Sequence, residues 1–315
     1  ANLANAFVDN VSQYAVLRFI AGFGLAGELG AGITLVSELM SVHRRGMGTT
    51  IVTAAGVLGG ICGGLVGNLF TWQTAYIIGG CAGFVLLLLR LGLVESGLFI
   101  SLKTNDNVPK GSLSQFYKKP ALFKKYLRCL FIGMPFWIFV GLFMTLAPEL
   151  GNRLGVTSQV TTSWALLYFN VGLGLGELSS GLLSQWLGSR KKVVSLYIIF
   201  SFSVMMAFLN LQDISASYFY GFCALMGLSI GYWAVFLVMS AEQFGTNLRA
   251  TVTVSLPNFV RGMAVPMTLL LTMLKLHLGI ITSLGIIGTT SLFLALLCVF
   301  SLPETFARDL DFVET

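Results

Sequence analysis

Nine stretches of this 315-residue chain are apolar over lengths that match or exceed the ~20 residues needed to cross a bilayer as a helix. By number they are 14–40, 48–70, 74–93, 127–150, 158–187, 193–211, 216–239, 250–274 and 278–302. In lipid every backbone polar group must be satisfied internally, which leaves helices or closed barrels. A barrel calls for strands of about ten residues alternating apolar and polar side chains, whereas these runs are continuous and rich in Leu, Gly and Phe. The sequence predicts an all-α polytopic membrane protein. Only 10% of its residues are charged, against about 25% in soluble domains.

The charges that do occur are unevenly placed. Arg44 and Arg45, then Lys103 through Arg128, then Arg190, Lys191 and Lys192, then Arg249 all fall in alternate loops, while the opposite loops hold only Arg153 and Lys275. By the positive-inside rule the basic loops are cytoplasmic, as for a multi-pass protein of the plasma, or bacterial inner, membrane. The net charge of +6 is accounted for by this asymmetry, and no nucleic-acid partner is expected. In the longest basic loop Phe116, Tyr117, Phe123 and Tyr126 interleave with Lys118, Lys119, Lys124 and Lys125, a composition suited to lying on an anionic leaflet. Cys62, Cys81, Cys129, Cys223 and Cys298 lack paired or ligand-like spacing, so neither disulfide, metal nor cofactor is expected.

Gly22, Gly24 and Gly27 have the G-x-G-x-x-G spacing of a dinucleotide loop, but no strand precedes them. They are read, with Gly30, as small residues for close helix packing, leaving Glu28 to point into a polar cavity. Gly59, Gly60, Gly63, Gly64 and Gly67 form overlapping G-x-x-x-G spacings with the same meaning.

Sliding the sequence on itself reveals a repeat at an offset of 204 residues, in which Asp9, Tyr14, Gly27, Glu38 and Arg45 meet Asp213, Tyr218, Gly231, Glu242 and Arg249. Each half carries Glu, six residues, Arg and a small residue, as "ELMSVHRRG" from Glu38 and "EQFGTNLRA" from Glu242. Each also ends with a glutamate just past a helix, Glu95 in "VESG" and Glu304 in "LPET". Parallel duplicated halves of six helices are the architecture of major facilitator transporters, and the chain resembles that superfamily. "RFIAGFGLAGELGAG" with its following loop is similar to the fourth helix of the metabolite:proton symporter branch, which includes proline/betaine and oxoglutarate permeases. "GLLSQWLGSRKK", 181–192, resembles the loop motif G-x-L-[AS]-D-x-x-G-R-[RK], with Gln185 in place of its aspartate and Ser189 in place of its first arginine. Those departures weaken the charge latch that the motif normally supplies.

The resemblance implies two pseudo-symmetric six-helix halves: 1–100 as the later part of the first half, 101–126 as a basic cytoplasmic linker, and 127–315 as the second half and a short tail. It sets Ala1 inside a third helix, so that about 75 to 95 residues, two spans and most of a third, would precede it. Nothing about Ala1 to Val8 reads as a signal peptide. By the same resemblance Glu38, Arg45, Glu242, Arg249 and Arg190 are gating residues in cytoplasmic charge networks, and the protein is a monomer.

Glu28, Glu177 and Arg261 stand near the middle of apolar runs. A charge at the bilayer centre costs about 2.5–3.5 kcal/mol on the insertion scale, so such residues face a cavity or each other and are functional candidates. Glu28 and Glu177 are candidates for proton coupling. Arg261 lies between Pro257 and Pro266, which free the carbonyls of Thr253 and Gly262; a fixed cation on a broken helix suits an anionic substrate group. Asn258 shares its stripe, and Tyr232 and Trp233, opposite Glu28 and Leu29 in the repeat, are further substrate contacts. Pairing of Arg261 with Glu177 or Glu28 is the structural alternative.

The resulting expectation is a proton-coupled secondary transporter for a small carboxylate-bearing or zwitterionic metabolite, with a sugar porter or a non-transporting remnant or sensor as alternatives. No enzyme is expected: Ser179 and Ser180 could be proposed as nucleophiles, but the two histidines, His43 and His277, lie in loops and supply no base in the membrane.

Overall fold

A computed structural model describes residues 1–26, 45–90 and 119–306 of the chain. Glu28, Glu38, Glu95 and most of the basic linker lie outside the described residues, and of Arg45 only the backbone, at the start of a helix, is described.

Among the described residues the regular structure is helical. After a short turn of 3-10 helix, Ala4–Phe7, come α1 (Val11–Leu25), α2 (Arg45–Leu69) and α3 (Trp72–Arg90). The rear group comprises α4 (Pro120–Ile138), α5 (Ala147–Arg153), α6 (Thr162–Leu187), α7 (Arg190–Leu209), α8 (Ala216–Ser229), α9 (Trp233–Glu242), α10 (Thr246–Gly262), α11 (Ala264–Leu278) and α12 (Ile280–Ser301). Among the described residues seven spans are long and apolar enough to cross a membrane, and two shorter apolar helices, Val11–Leu25 and Ala55–Leu69, fall in the remaining predicted runs.

Local chemistry sets the ends. Asn10 Oδ1 accepts from Gln13 N–H at 2.9 Å to cap α1, and Thr161, Ser189 and Ser215 cap α6, α7 and α8 in the same way. Pro120 opens α4 at a position where its missing N–H costs nothing. Pro135, inside α4, removes a helical hydrogen bond, and the helix passes into a π-helical turn at Phe139–Met144.

Besides the run 127–150, which turns at Thr145 and Leu146 before α5, two predicted spans are split. The run from 216 breaks at Ile230 to Tyr232, and the run from 250 breaks at Met263, between Pro257 and Pro266. The rear helices bury a core that includes Phe139, Phe143, Phe208, Phe219 and Phe236. α6 runs through its middle, packed on α8 to one side and on α2 to the other, while α4 and α7 pack on α12. Association of this kind in lipid rests on close packing rather than on the hydrophobic effect.

Candidate functional site

The break in the 250–274 run positions Arg261 one residue before the end of α10. Its guanidinium carbon lies 4.7 Å from the centre of the Trp137 ring of α4, a cation–π contact of about 0.5–2 kcal/mol. Trp137 meets Phe136 edge-on at 5.7 Å, and Phe136 stacks on Trp233 of α9 at 4.3 Å with ring planes 25° apart. Trp233 continues to Phe236 at 5.2 Å. A fixed cation thus heads a row of aromatic rings drawn from α4 and α9. Among the described residues Arg261 has no acidic partner and is not ion-paired with Glu177. The Trp137 indole N–H is buried and likewise without an acceptor among them. Arg18 of α1 lies close enough to Arg261 for the two like charges to repel.

Asn258, one turn before Arg261, donates from Nδ2 to Val254 O at 2.8 Å and to Ala26 O, at the end of α1, at 2.5 Å. It therefore ties a rear helix to a front one. Tyr232 is wholly buried, its hydroxyl donating to Ile132 O of α4 at 2.9 Å. It holds the broken helix against α4.

Glu177 is buried in α6 at the level of the break between α8 and α9: a side chain at Gly231 would come within 2.7 Å of its backbone nitrogen. Two residues on, Ser179 Oγ and the Tyr197 hydroxyl of α7 are 2.7 Å apart.

A second cluster joins the start of α7 to the end of α9. Arg190, at the start of α7, pairs with Glu242, at the end of α9, at 3.6 Å, donates to Ser184 Oγ at 3.0 Å, and lies 5.2 Å over the Phe306 ring. Arg249 donates to Phe244 O at 3.3 Å, so the acid and base of the repeated loop pattern are not each other's ion-pair partners. Gln185, where the loop motif has its aspartate, is exposed. Carboxylates from elsewhere take up the motif's neighbours: Glu242 pairs with Arg190, and Glu304 accepts the Ser189 hydroxyl and the N–H groups of Arg190 at 3.0 Å and Lys191 at 3.3 Å. Partial burial pushes the Glu304 carboxyl up. The hydrogen bonds from Ser189 and from the Phe306, Thr305 and Arg190 N–H groups outweigh that and hold it below the ordinary carboxylate range. A carboxylate there also meets the positive end of α7. Lys125 Nζ reaches Gln243 O at 3.0 Å and Gln243 Nε2 reaches Pro303 O at 2.8 Å, joining α4 to the residues that follow α9 and α12.

Trp137, Phe136 and Arg18 were not singled out from sequence as site residues. Arg18 had the same signal as Arg261, an arginine within an apolar run. The two aromatic rings had none, since nothing in the chain around Phe136 marks the helix that will face it.

The fold and site define a multi-pass helical integral membrane protein with cationic and acidic groups held between its helices. Residues 2–265 match the profile of the Major Facilitator Superfamily, and the chain belongs to that family. It is 26% identical over 259 residues to a putative niacin/nicotinamide transporter of Bacillus subtilis (strain 168), covering 78% of this chain and 62% of that protein. A niacin transporter of Acinetobacter baylyi (strain ATCC 33305 / BD413 / ADP1) is 24% identical, with coverages of 79% and 63%. A probable 4-methylmuconolactone transporter of Cupriavidus pinatubonensis (strain JMP 134 / LMG 1197) is 24% identical, with coverages of 95% and 71%. The chain thus spans less than two thirds of the length of the first two of these relatives.

Proposed function

We propose that this chain belongs to a secondary active transporter that moves a small carboxylate-bearing metabolite together with protons by alternating access, and that the carboxylate is carried on a compact ring. The observation that carries the reading is Arg261 stacked on Trp137, at the head of the Phe136–Trp233 row, without an acidic partner among the described residues. The guanidinium is charged at any physiological pH and offers a donor fork that fits a carboxylate. The Trp137 N–H is a third donor, and the aromatic row gives a planar ring a face to stack on. The names of the relatives, for niacin or nicotinamide, for niacin and for 4-methylmuconolactone, support a ring-bearing substrate, and of these niacin is a carboxylate. An uncharged sugar would leave this cation uncompensated.

Proton coupling is assigned to Glu177, a carboxyl buried at membrane depth, with Glu28, outside the described residues, as the second candidate. The halves 1–100 and 127–315 rock about the interface between α2 and α6. Arg190, Glu242, Arg249 and their counterparts Glu38 and Arg45 hold the cytoplasmic end.

Uptake of radiolabelled niacin, benzoate and glucose by cells making the whole protein tests this. A ring carboxylate is expected to enter saturably, Arg261→Leu to abolish that uptake, and Arg261→Lys or Trp137→Leu to weaken apparent affinity about tenfold, ~1.4 kcal/mol. Unchanged carboxylate uptake by Arg261→Leu removes Arg261 from the site, and preferential glucose uptake returns the sugar-porter reading. Glu177→Gln is expected to end accumulation against a gradient while sparing counterflow; equal loss of both makes Glu177 structural.

A further inference from the structure

The span 216–242 is two helices, α8 and α9, parted by Ile230, Gly231 and Tyr232 without a proline in the break. A break at membrane depth leaves carbonyls without helical partners, and each costs several kcal/mol unless another group donates. Two side chains from other helices do so. Ser201 Oγ of α7 shares its proton between Ser229 O at 2.9 Å and Tyr197 O of its own helix at 2.8 Å, and Ser180 Oγ of α6 shares its proton between Gly231 O at 2.7 Å and Glu177 O of its own helix at 3.0 Å. Both serines are wholly buried.

The two halves of the span are anchored differently. α8 is locked to α6 by backbone contact, since a side chain at Gly172 or Gly227 would overlap the carbonyl of Ala224 or Phe169. α9 packs on α10, α6, α7 and α4, and its seat on α4 is made by side chains: Trp233 stacks on Phe136, and Phe236 fills the space over Gly133. One end of α9 contributes Trp233 to the aromatic row, and the other contributes Glu242 to the pair with Arg190.

We infer that α9 is a lever hinged at 230–232, and that Ser180 and Ser201 are positioning residues that set its angle, so that the aromatic row and the Arg190–Glu242 pair move together. Ten helical residues span about 15 Å, enough for a small rotation at the hinge to separate Glu242 from Arg190. The link to substrate rests on the function proposed above; the hinge does not.

Two native cysteines report on it. Cys129 of α4 is wholly buried in a helix that α9 packs against, on the lever side, and Cys223 is wholly buried in α8, on the other side of the hinge. In the whole protein with Cys62, Cys81 and Cys298 replaced by alanine, labelling by a membrane-permeant maleimide is followed in membranes without substrate. Ser180→Ala and Ser201→Ala are each expected to speed Cys129 labelling about fivefold, the equivalent of one net hydrogen bond, with Cys223 unchanged. Ser291→Ala, which removes a buried hydroxyl bonded only to Gly288 O of its own helix, is expected to change neither. Cys129 labelling no faster than in Ser291→Ala overturns the lever, and so does a parallel rise at Cys223, which reports general loosening. Where one serine variant is not recovered in the membrane, the other decides by the same criterion. Uptake is not the readout, so failure of the transport reading leaves this result standing.

Discussion

α6 has two faces, and the contrast between them shows which parts of the molecule can move. Toward α8, Gly172 and Gly176 meet Gly227 and Gly231 so closely that an added methyl would strike backbone: the carbonyls of Ala224, Leu228 and Phe169, or the peptide joining Gly176 to Glu177. Toward α2, a methyl at Gly60 would meet the Asn170 amide and one at Gly67 would lie 3.1 Å from Ser163 Oγ, both side-chain ends, while one at Gly64 would lie 3.0 Å from Leu167 Cβ and 3.3 Å from backbone atoms of Leu167 and Ser163, a looser approach than at the α8 seam. Backbone against backbone cannot give without moving a helix. Side-chain ends can rotate away. The first seam therefore fixes α6 to the rear helices, and the second, which joins the rear group to the front, is the one suited to sliding.

Gly172→Ala is the harshest test of that contrast. It is expected to destabilise the protein by about 3 kcal/mol or more, since overpacking here has no side chain to displace. Thermal unfolding in detergent measures it, and a melting temperature like the parent's would mean that the seam is not rigid. Gly60→Ala is expected to cost only about 1 kcal/mol yet to slow transport, with Asn170→Ala in the same protein restoring the rate. If the two glycine variants prove equally destabilising, the distinction between the seams is gone.

Smaller effects sharpen the picture at the cytoplasmic end of α6. Arg190→Ala removes a partly buried ion pair of about 1 kcal/mol and is expected to raise labelling of a cysteine placed at Ser184 from the cytoplasmic side; unchanged labelling would leave the pair without a gating role. The smallest effect concerns acid. Because Glu304 is held below its ordinary value, its contribution is complete at neutral pH, above the unfolded value of about 4.3, and is lost as pH falls through the lower folded value. Glu304→Gln is expected to flatten the acid side of a melting-temperature profile between about pH 5 and 3. An identical fall in the variant would assign the acid sensitivity to another carboxylate.

The spans were legible because bilayer thickness is written as length: the run 278–302 is α12, Ile280–Ser301, and the run 74–93 contains most of α3. The break near Arg261 was legible because two prolines mark it. The break at 230–232 was not, since its one conformational cue is a single glycine and its stability comes from serines on two other helices. The repeat drew attention to Glu242 and Glu304 but not to what they bind. Spacing set Glu242 beside Arg249, while the ion-pair partner it meets, Arg190, arrives from the turn between α6 and α7. The glycines at 59–67 stood out as a run, yet only Gly60, Gly64 and Gly67 among them meet α6, and the tighter seam uses glycines that the sequence scatters over 172–231.

The sequence alone determined that this chain is helical and membrane-spanning, and it supplied the expectations of basic loops on the cytoplasmic side, of duplicated halves, and of a partner or cavity for Arg261 and Glu177. These follow from length, charge sign and the cost of burying a charge in hydrocarbon, all properties of single segments. Which partners those residues meet was decided only by the tertiary structure. Stacking Arg261 on Trp137, capping α7 with Glu304 and closing the 230–232 break with Ser180 and Ser201 all depend on how helices distant in the chain are rotated about their axes. In an apolar environment nearly every face of a helix is equally hydrophobic, so the sequence carries little signal of that rotation, and close packing settles it.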